Sequence, residues 1–218
     1  MPSPHRVLVW DLPTRLFHWA LVLLVLTSYV TGKVGGDAMT WHLWSGYAVL
    51  TLVLFRVVWG FLGGPHARFA SFVKGPRAVL RYARTLFTTH AERHLGHNPL
   101  GGWSVVLLLA SLATQAGTGL FASDDIATEG PLAARASAAT VKLATRIHHY
   151  NEWVLVVLVT LHILAILYYA FVKREDLITA MVSGHKERPE PAAHSTNRVG
   201  LAVAIAAIAA AAVYLIVR

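Results

Sequence analysis

The sequence predicts an all-α integral membrane protein, in which a four-helix transmembrane bundle is followed by a fifth transmembrane helix. Of the 218 residues, 56% are hydrophobic and 14% are charged, and the mean hydropathy is +0.53. This composition is too apolar for a soluble domain of this length. Five apolar stretches are long enough to cross a hydrocarbon core of about 30 Å. They cover residues 16–32, 42–62, 103–121, 153–171 and 199–217.

The first apolar stretch is expected to stay in the mature protein. Arg6 and Arg15 precede it, as basic residues precede the apolar core of a signal peptide. However, no small-residue cleavage site follows Tyr29, and the stretch contains His18. We therefore interpret it as the first transmembrane helix.

A short amphipathic helix is predicted between the second and third stretches, beginning at Gly75-Pro76. A basic amphipathic helix of this kind lies in the membrane interface. The alternative is an ordinary solvated loop with chance periodicity. The apolar side would consist of Val79, Leu80, Ala83, Leu86 and Phe87, and the basic side of Arg77, Arg81 and Arg84.

The sequence divides into a core, a linker and an additional helix. Residues 1–175 contain four of the apolar stretches and form the predicted core. Residues 176–198 are predicted to be a polar linker, because residues 184–198 are polar and broken by prolines. Residues 199–217 are rich in alanine and suit close helix packing or simple anchoring.

The distribution of Lys and Arg predicts the orientation in the membrane. The connection 63–102 contains six Lys and Arg residues and one acidic residue, Glu92, whereas the connection 122–147 is balanced. Because basic loops stay in the cytoplasm, the N-terminus should be cytoplasmic and Arg218 periplasmic. This bias and attraction to anionic membrane lipid account for much of the net charge of +8. Nucleic-acid binding is not expected.

Two histidines share one face of the fourth helix. His148 and His162 are fourteen residues apart. Fourteen helical steps return the side chain to within about 40° of its starting direction and raise it by about 21 Å. Both imidazoles should therefore face the same interior, near opposite sides of the membrane.

Histidines on two other helices match these two in depth. His42 begins the second helix at the periplasmic end, and His18 lies near the cytoplasmic end of the first helix. Pairing by depth joins His42 to His148 and His18 to His162. His149 is the rival of His148, but it points about 220° away from His162. Independent packing histidines are the alternative explanation for the set.

The cysteine count restricts the metal chemistry. The chain has no cysteine, which excludes iron–sulfur clusters and covalent c-type haem attachment. Paired neutral imidazoles in an apolar surrounding suit two b-type haems, and two axial ligands favour electron transfer over oxygen binding. His90, His94 and His97 raise the possibility of zinc, although a fourth ligand is missing. No ligand role is assigned to the loop histidines His5, His66, His90, His94, His97, His185 and His194.

Small residues near the histidines would leave room for a porphyrin. Gly46 lies one turn after His42 on the same face, and Gly117 and Gly119 lie near the periplasmic end of the third helix. Generic close packing of helices explains such glycines equally well.

Two charged residues have candidate roles beside the cofactors. Arg56 is fourteen residues after His42 and would bind a propionate of the inner haem, unless it extends to the lipid headgroups. The same choice applies to Arg15. Glu152, one turn from His148, would handle protons for a quinone or serve as an interfacial carboxylate.

Several of these segments together resemble the bacterial cytochrome b561 family, which includes the cytochrome b subunits of nickel–iron hydrogenases. The resemblance covers about residues 6–173 and implies a four-helix di-haem core, ligation by His18, His42, His148 and His162, and electron exchange with quinone. The doubled His148-His149 and the fifth helix depart from the family pattern. The resembling segments are Val-Trp-Asp-Leu-Pro-Thr-Arg-Leu-Phe-His-Trp at 9–19, His-Leu-Trp-Ser-Gly at 42–46, Leu-Phe-Arg-Val-Val-Trp at 54–59, His-Asn-Pro-Leu-Gly-Gly at 97–102, and His148 with Leu161-His162.

The predicted function is electron transfer between quinone and a periplasmic redox partner. The family suggests a c-type cytochrome, a hydrogenase or another dehydrogenase subunit as that partner. Alternatively, superoxide would react at the outer haem with quinone as acceptor, which would make the protein an enzyme. A non-redox transporter with a histidine proton relay is the alternative from another class. A transporter would be colourless, whereas the cytochrome would be red.

Overall fold

The computed structural model describes residues 5–86, 94–188 and 198–218, with the backbone alone for His5 and Arg188. Among these residues, five helices are long and apolar enough to cross a membrane, which confirms the predicted all-α membrane architecture. They are α1 (Leu12–Val34), α2 (Met39–Leu62), α5 (Pro99–Gly119), α6 (Ala138–Phe171) and α8 (Val199–Val217). Shorter elements are β1 (His5–Leu8), α3 (Phe69–Phe72), α4 (Pro76–Thr85), α7 (Leu177–Ser183) and β2 (His185–Arg188).

Side-chain caps mark where α1 and α5 begin. Asp11 accepts a hydrogen bond from the Thr14 amide (2.8 Å) ahead of α1, and Asn98 accepts one from Gly101 (2.8 Å) ahead of α5. Each cap satisfies an amide that has no partner within its helix. Gly35 ends α1 with a φ of 68°, a conformation that favours glycine.

Hydrogen bonds between elements show which helix ends lie together. The Trp59 Nε1–H donates to Thr14 Oγ1 (3.2 Å). The side-chain amide of Asn98 donates through Nδ2 to the Tyr169 hydroxyl (2.8 Å). Trp10, just before α1, packs on His97, just before α5, with ring centres 4.7 Å apart. The start of α1, the end of α2, the start of α5 and the end of α6 therefore share one side, called the N-terminal end below. The opposite side, called the distal end, carries the turn 35–38 and the loop 120–137.

The fifth helix packs against the bundle. Arg198 donates to the Leu62 carbonyl oxygen (3.4 Å), so α8 starts at the N-terminal end and runs antiparallel to α2. Two of its buried residues, Ala202 and Ile205, join the packing around Phe55 and Trp59 of α2. The buried side chains of α8 are Ala202, Ile205, Ala209 and Val213.

Two regions differ from the sequence prediction in extent. The fourth long helix begins at Ala138, ahead of the apolar stretch 153–171 that it contains, because Ser137 caps it through the Thr140 amide (3.2 Å). Within the predicted linker 176–198, residues 177–183 form α7, and β2 pairs antiparallel with β1. Backbone hydrogen bonding to a distant strand orders residues 185–188 of this polar segment.

The predicted amphipathic helix between α2 and α5 is confirmed as α4. Pro76 occupies its first turn, where a missing amide hydrogen costs nothing. Arg77, Arg81 and Arg84 are exposed along it, and Tyr82 is buried. Phe87, predicted to belong to its apolar side, lies outside the described residues.

Candidate functional site: two histidine pairs

The four histidines singled out from the sequence form two pairs at opposite ends of the bundle. In the distal pair, the ring centres of His42 (α2) and His148 (α6) are 6.1 Å apart. In the N-terminal pair, those of His18 (α1) and His162 (α6) are 6.5 Å apart. The structure thus brings together the same partners that matching by depth predicts.

The ring separations suit a metal ion between each pair. A metal ion that binds one nitrogen of each ring at about 2 Å, from opposite sides, holds the ring centres about 6 Å apart. In the described residues no three His, Cys, Asp or Glu side chains gather into a metal site. Two-histidine coordination is therefore the metal chemistry that this part of the chain offers.

Hydrogen bonds fix the tautomer of both rings in the distal pair. His42 Nδ1 lies 2.8 Å from the Ser28 carbonyl oxygen, and His148 Nδ1 lies 2.9 Å from that of Gln115. Because a carbonyl only accepts, each Nδ1 carries the hydrogen and donates it. Each neutral ring thereby keeps the lone pair on Nε2 for a metal.

The N-terminal pair has a different surrounding. The Nδ1 atom of His18 is buried and has no hydrogen-bond partner among the described residues. The His18 ring instead meets Trp19 edge to face, with centres 5.0 Å apart. An unpaired buried imidazole nitrogen is costly unless a ligand or metal satisfies it.

Glycines surround the distal pair. A Cβ at Gly32 would lie 2.8 Å from His42 Nδ1, and a Cβ at Gly119 would lie 3.1 Å from His148 Cε1. At Gly46 and Gly117, an added Cβ would meet no neighbouring atom of the described residues within 4 Å. Gly32 and Gly119 thus let rings approach the helix backbone, while Gly46 and Gly117 border open space.

Arg56 is buried rather than extended to the surface. Its exposed fraction is 3%, Nη2 donates to the Ala67 carbonyl oxygen (3.1 Å), and the guanidinium lies over the Phe69 ring. The Nη1 atom is buried without a hydrogen-bond partner in the described residues. A buried, half-satisfied guanidinium suits a carboxylate such as a haem propionate. Arg15 instead donates to the Val182 carbonyl oxygen (2.6 Å).

Two residues near His148 take structural positions. The His149 side chain is exposed, and its ring plane is turned 81° from that of His148. Glu152 forms an ion pair with Lys33 of α1, which ties α1 to α6 at the distal end. This pairing favours the structural interpretation of Glu152 over proton transfer.

The loop histidines considered for zinc do not assemble a site in the described residues. His97 packs between Trp10 and Phe72, with ring centres 4.7 and 4.6 Å away, and burial lowers its pKa to about 3. His94 packs on Tyr82. His90 lies outside the described residues.

The sequence analysis missed Ser28, Gly32 and Gln115. Ser28 and Gln115 act through backbone carbonyls, which leave no side-chain signature. A usable signal exists nevertheless: the pattern Thr-x-x-x-Thr-Gly occurs at residues 27–32 and again at residues 114–119. Each copy precedes one histidine of the distal pair.

Comparisons with known proteins identify the family to which the chain is similar. The family model described as prokaryotic cytochrome b561 matches residues 9–184. Probable nickel–iron hydrogenase B-type cytochrome subunits of Azotobacter chroococcum mcd 1 and Azotobacter vinelandii are each 28% identical, over 84% of this chain and 91% of the relative. That of Bradyrhizobium diazoefficiens is 25% identical, over 83% of this chain and 86% of the relative. No solved structure matches the chain.

Membership of this family implies a b-type haem, and the histidine pairs fit one. The fit rests on the ring separations, the free Nε2 atoms of the distal pair and the open space beside Gly46. The family model spans most of the chain, including all four histidines. The chain therefore belongs to the prokaryotic cytochrome b561 family of b-type cytochromes that act in electron transfer.

Proposed function

We propose that this chain is a di-haem cytochrome b that carries electrons between a membrane quinone and a redox partner at the periplasmic face of the inner membrane. The observation that supports it most is the presence of two imidazole pairs at opposite ends of the bundle, with ring centres 6.1 and 6.5 Å apart. One pair would support one haem, whereas two pairs support a route through the membrane.

Each pair would hold one haem. His42 and His148 would hold the haem at the distal end, and His18 and His162 would hold the haem at the N-terminal end. Arg56 would bind a propionate at the N-terminal end through its unpaired Nη1, and Gly46 would leave room for the macrocycle. In this proposal residues 1–175 form the haem-binding core, and residues 199–217 add a helix to it.

A haem held by two imidazoles would supply one-electron transfer chemistry. The chain's own residues provide its setting. A buried apolar cluster lies between the levels of the two histidine pairs, formed by Val49, Val53, Leu112 and Leu155. This cluster excludes water and keeps the two pairs apart. The carbonyls of Ser28 and Gln115 hold the distal imidazoles in one tautomer.

The proposed orientation puts the N-terminal end in the cytoplasm. The loop that joins α2 to α5 at that end is strongly basic, as cytoplasmic loops are. The distal pair then faces the periplasm. Exposed arginines along α4 would meet anionic lipid headgroups at the cytoplasmic surface.

The proposed partner at the distal end is a hydrogenase or other dehydrogenase subunit, or a periplasmic c-type cytochrome. The relatives' names describe hydrogenase cytochrome subunits, which favours a hydrogenase among these partners. Quinone is the proposed partner within the membrane.

Haem analysis of the purified protein tests the proposal. Because the chain has no cysteine, acidified organic solvent should extract all the haem, as two protohaems per chain. His18→Ala and His162→Ala should each halve the haem content, while the distal haem stays spectroscopically present. Covalently retained haem, or one haem per chain, would contradict the di-haem scheme.

Reconstituted protein tests the electron route. Quinol should reduce both haems, and an oxidised acceptor on the periplasmic side should reoxidise them, followed by stopped-flow absorbance. If neither haem exchanges electrons with any quinol or quinone, the quinone-linked part of the proposal fails while the haem content stands.

A further inference from the structure

The two helical hairpins of the core carry a repeated sequence at the same place. In the hairpin α1–α2, residues 27–32 read Thr-Ser-Tyr-Val-Thr-Gly near the distal end of α1. In the hairpin α5–α6, residues 114–119 read Thr-Gln-Ala-Gly-Thr-Gly near the distal end of α5. Within each hairpin, the second helix supplies one histidine of the distal pair.

The two copies make equivalent contacts with their histidines. In each copy the carbonyl of the second residue accepts a hydrogen bond from imidazole Nδ1, over 2.8 Å in the first copy and 2.9 Å in the second. In each copy the final glycine lies against the ring, so that a Cβ would come within 2.8 Å of the His42 ring or 3.1 Å of the His148 ring.

The threonine before each glycine also occupies the same position. Thr31 Oγ1 donates to the Thr27 carbonyl oxygen (2.6 Å) and lies 3.3 Å from that of Ser28. Thr118 Oγ1 donates to the Thr114 carbonyl oxygen (2.6 Å) and lies 3.2 Å from that of Gln115. The carbonyl that receives the imidazole hydrogen thus has a second, competing donor in both copies.

The correspondence continues into the core. Val25 and Leu112 each lie seven residues before the final glycine, and Val49 and Leu155 each lie seven residues after the histidine. These four residues pack in one apolar cluster. Two chance occurrences of a six-residue pattern would not place the flanking residues in matching positions of the same cluster.

We propose that residues 27–32 and 114–119 are two equivalent contact segments for the distal imidazoles. They set the ring planes of His42 and His148 and thereby the redox potential of the distal haem. The proposal rests on the proposed ligation of that haem. A hydrogen bond from Nδ1 to a carbonyl makes the opposite nitrogen more electron-donating, which favours the oxidised metal. The glycines set the distance at which this bond forms.

The ring planes give the proposal a spectroscopic signature. The planes of His42 and His148 are 78° apart, whereas those of His18 and His162 are 53° apart. The EPR spectrum of a low-spin ferric haem depends on the angle between its two axial imidazole planes. The two haems should therefore give separate EPR signals, and a substitution in either contact segment should shift only the signal of the distal haem.

Gly32→Ala and Gly119→Ala in the purified protein test the role of the two contact segments. Each added methyl should displace one ring from its carbonyl, shift the distal EPR signal and raise the distal midpoint potential, while the N-terminal haem is unchanged. Selective loss of the distal haem would also support the proposal. The matched control is Gly200→Ala, since a Cβ there would meet no side chain or distant backbone atom within 4 Å in the described part of the chain. If the glycine variants match that control in both readouts, the proposal is overturned.

Thr31→Val and Thr118→Val provide a milder test with the opposite sign. Removal of the competing hydroxyl should strengthen the imidazole–carbonyl bond and lower the distal midpoint potential. Thr51→Val is the control, because its hydroxyl donates only to the Tyr47 carbonyl oxygen among its described contacts. A potential equal to that of Thr51→Val would overturn the proposal even if the glycine variants do not fold. Retention of both haems in His42→Ala would instead refute the ligation on which the proposal rests.

Discussion

His148 and His149 are adjacent in α6, yet their imidazoles meet different surroundings. His148 faces α5, where the Gln115 carbonyl and Gly119 receive its ring. His149 is exposed, because one residue along a helix turns the side chain by about 100°. The helix therefore offers one of the two histidines to the distal pair and the other to the surroundings of the bundle.

Substitution of the two histidines should give different haem contents. His148→Ala should remove the distal haem and halve the haem content, whereas His149→Ala should keep both haems. The measurement is the haem-to-protein ratio together with reduced-minus-oxidised spectra. The reverse result would mean that His149 is the ligand and that the helix register differs from the structure.

The sequence was sufficient to predict the pairing of the histidines but not their hydrogen bonds. Fourteen-residue spacing on a regular helix determines the relative direction of His148 and His162 with small error. The partners of His42 and His148 are the backbone carbonyls of Ser28 and Gln115, so the side chains of those two residues do not identify them. The trace that they leave in the sequence is the repeated Thr-x-x-x-Thr-Gly pattern. The buried position of Arg56 also required tertiary packing, because a long side chain near a helix end can equally extend to the headgroups.

At the scale of elements, α6 shows why hydropathy underestimates a helix. Residues 138–152 include Lys142, Arg146 and Glu152, so the apolar signal starts only after them. The helix itself starts at the Ser137 cap. Its backbone hydrogen bonds form between polar residues as well as between apolar ones, so the helix extends beyond the apolar stretch. The β1–β2 pairing was missed for a related reason: four-residue strands far apart in the chain have no local pattern that joins them.

Packing of α8 on α2 can be tested by enlarging its buried face. Ala209 is 6% exposed, whereas the neighbouring Ala210 is exposed. Ala209→Leu should overfill the contact and destabilise the protein by about 1–3 kcal/mol, while Ala210→Leu should have little effect. The measurement is the thermal denaturation midpoint in detergent, followed by haem absorbance. Equal midpoints for the two variants would indicate that α8 is not packed as the structure shows.

At the scale of the whole molecule, the positions of the helix ends constrain the topology. The starts of α1, α5 and α8 and the ends of α2 and α6 lie at the N-terminal end, so consecutive long helices alternate in direction. Alternation alone leaves two orientations relative to the membrane. The charge of the loops selects between them, because the basic connection between α2 and α5 belongs to the N-terminal end.

Reporter fusions on either side of α8 test both the crossing and the orientation. A reporter fused after Arg218 should be active only if it functions in the periplasm, because α8 runs from the N-terminal end to the distal end. A reporter fused after Arg198, directly before α8, should be active only if it functions in the cytoplasm. Cytoplasmic activity at both positions would show that α8 does not cross the membrane. Exchanged activities would leave the helix packing intact but invert the protein, and the distal histidine pair would then face the cytoplasm.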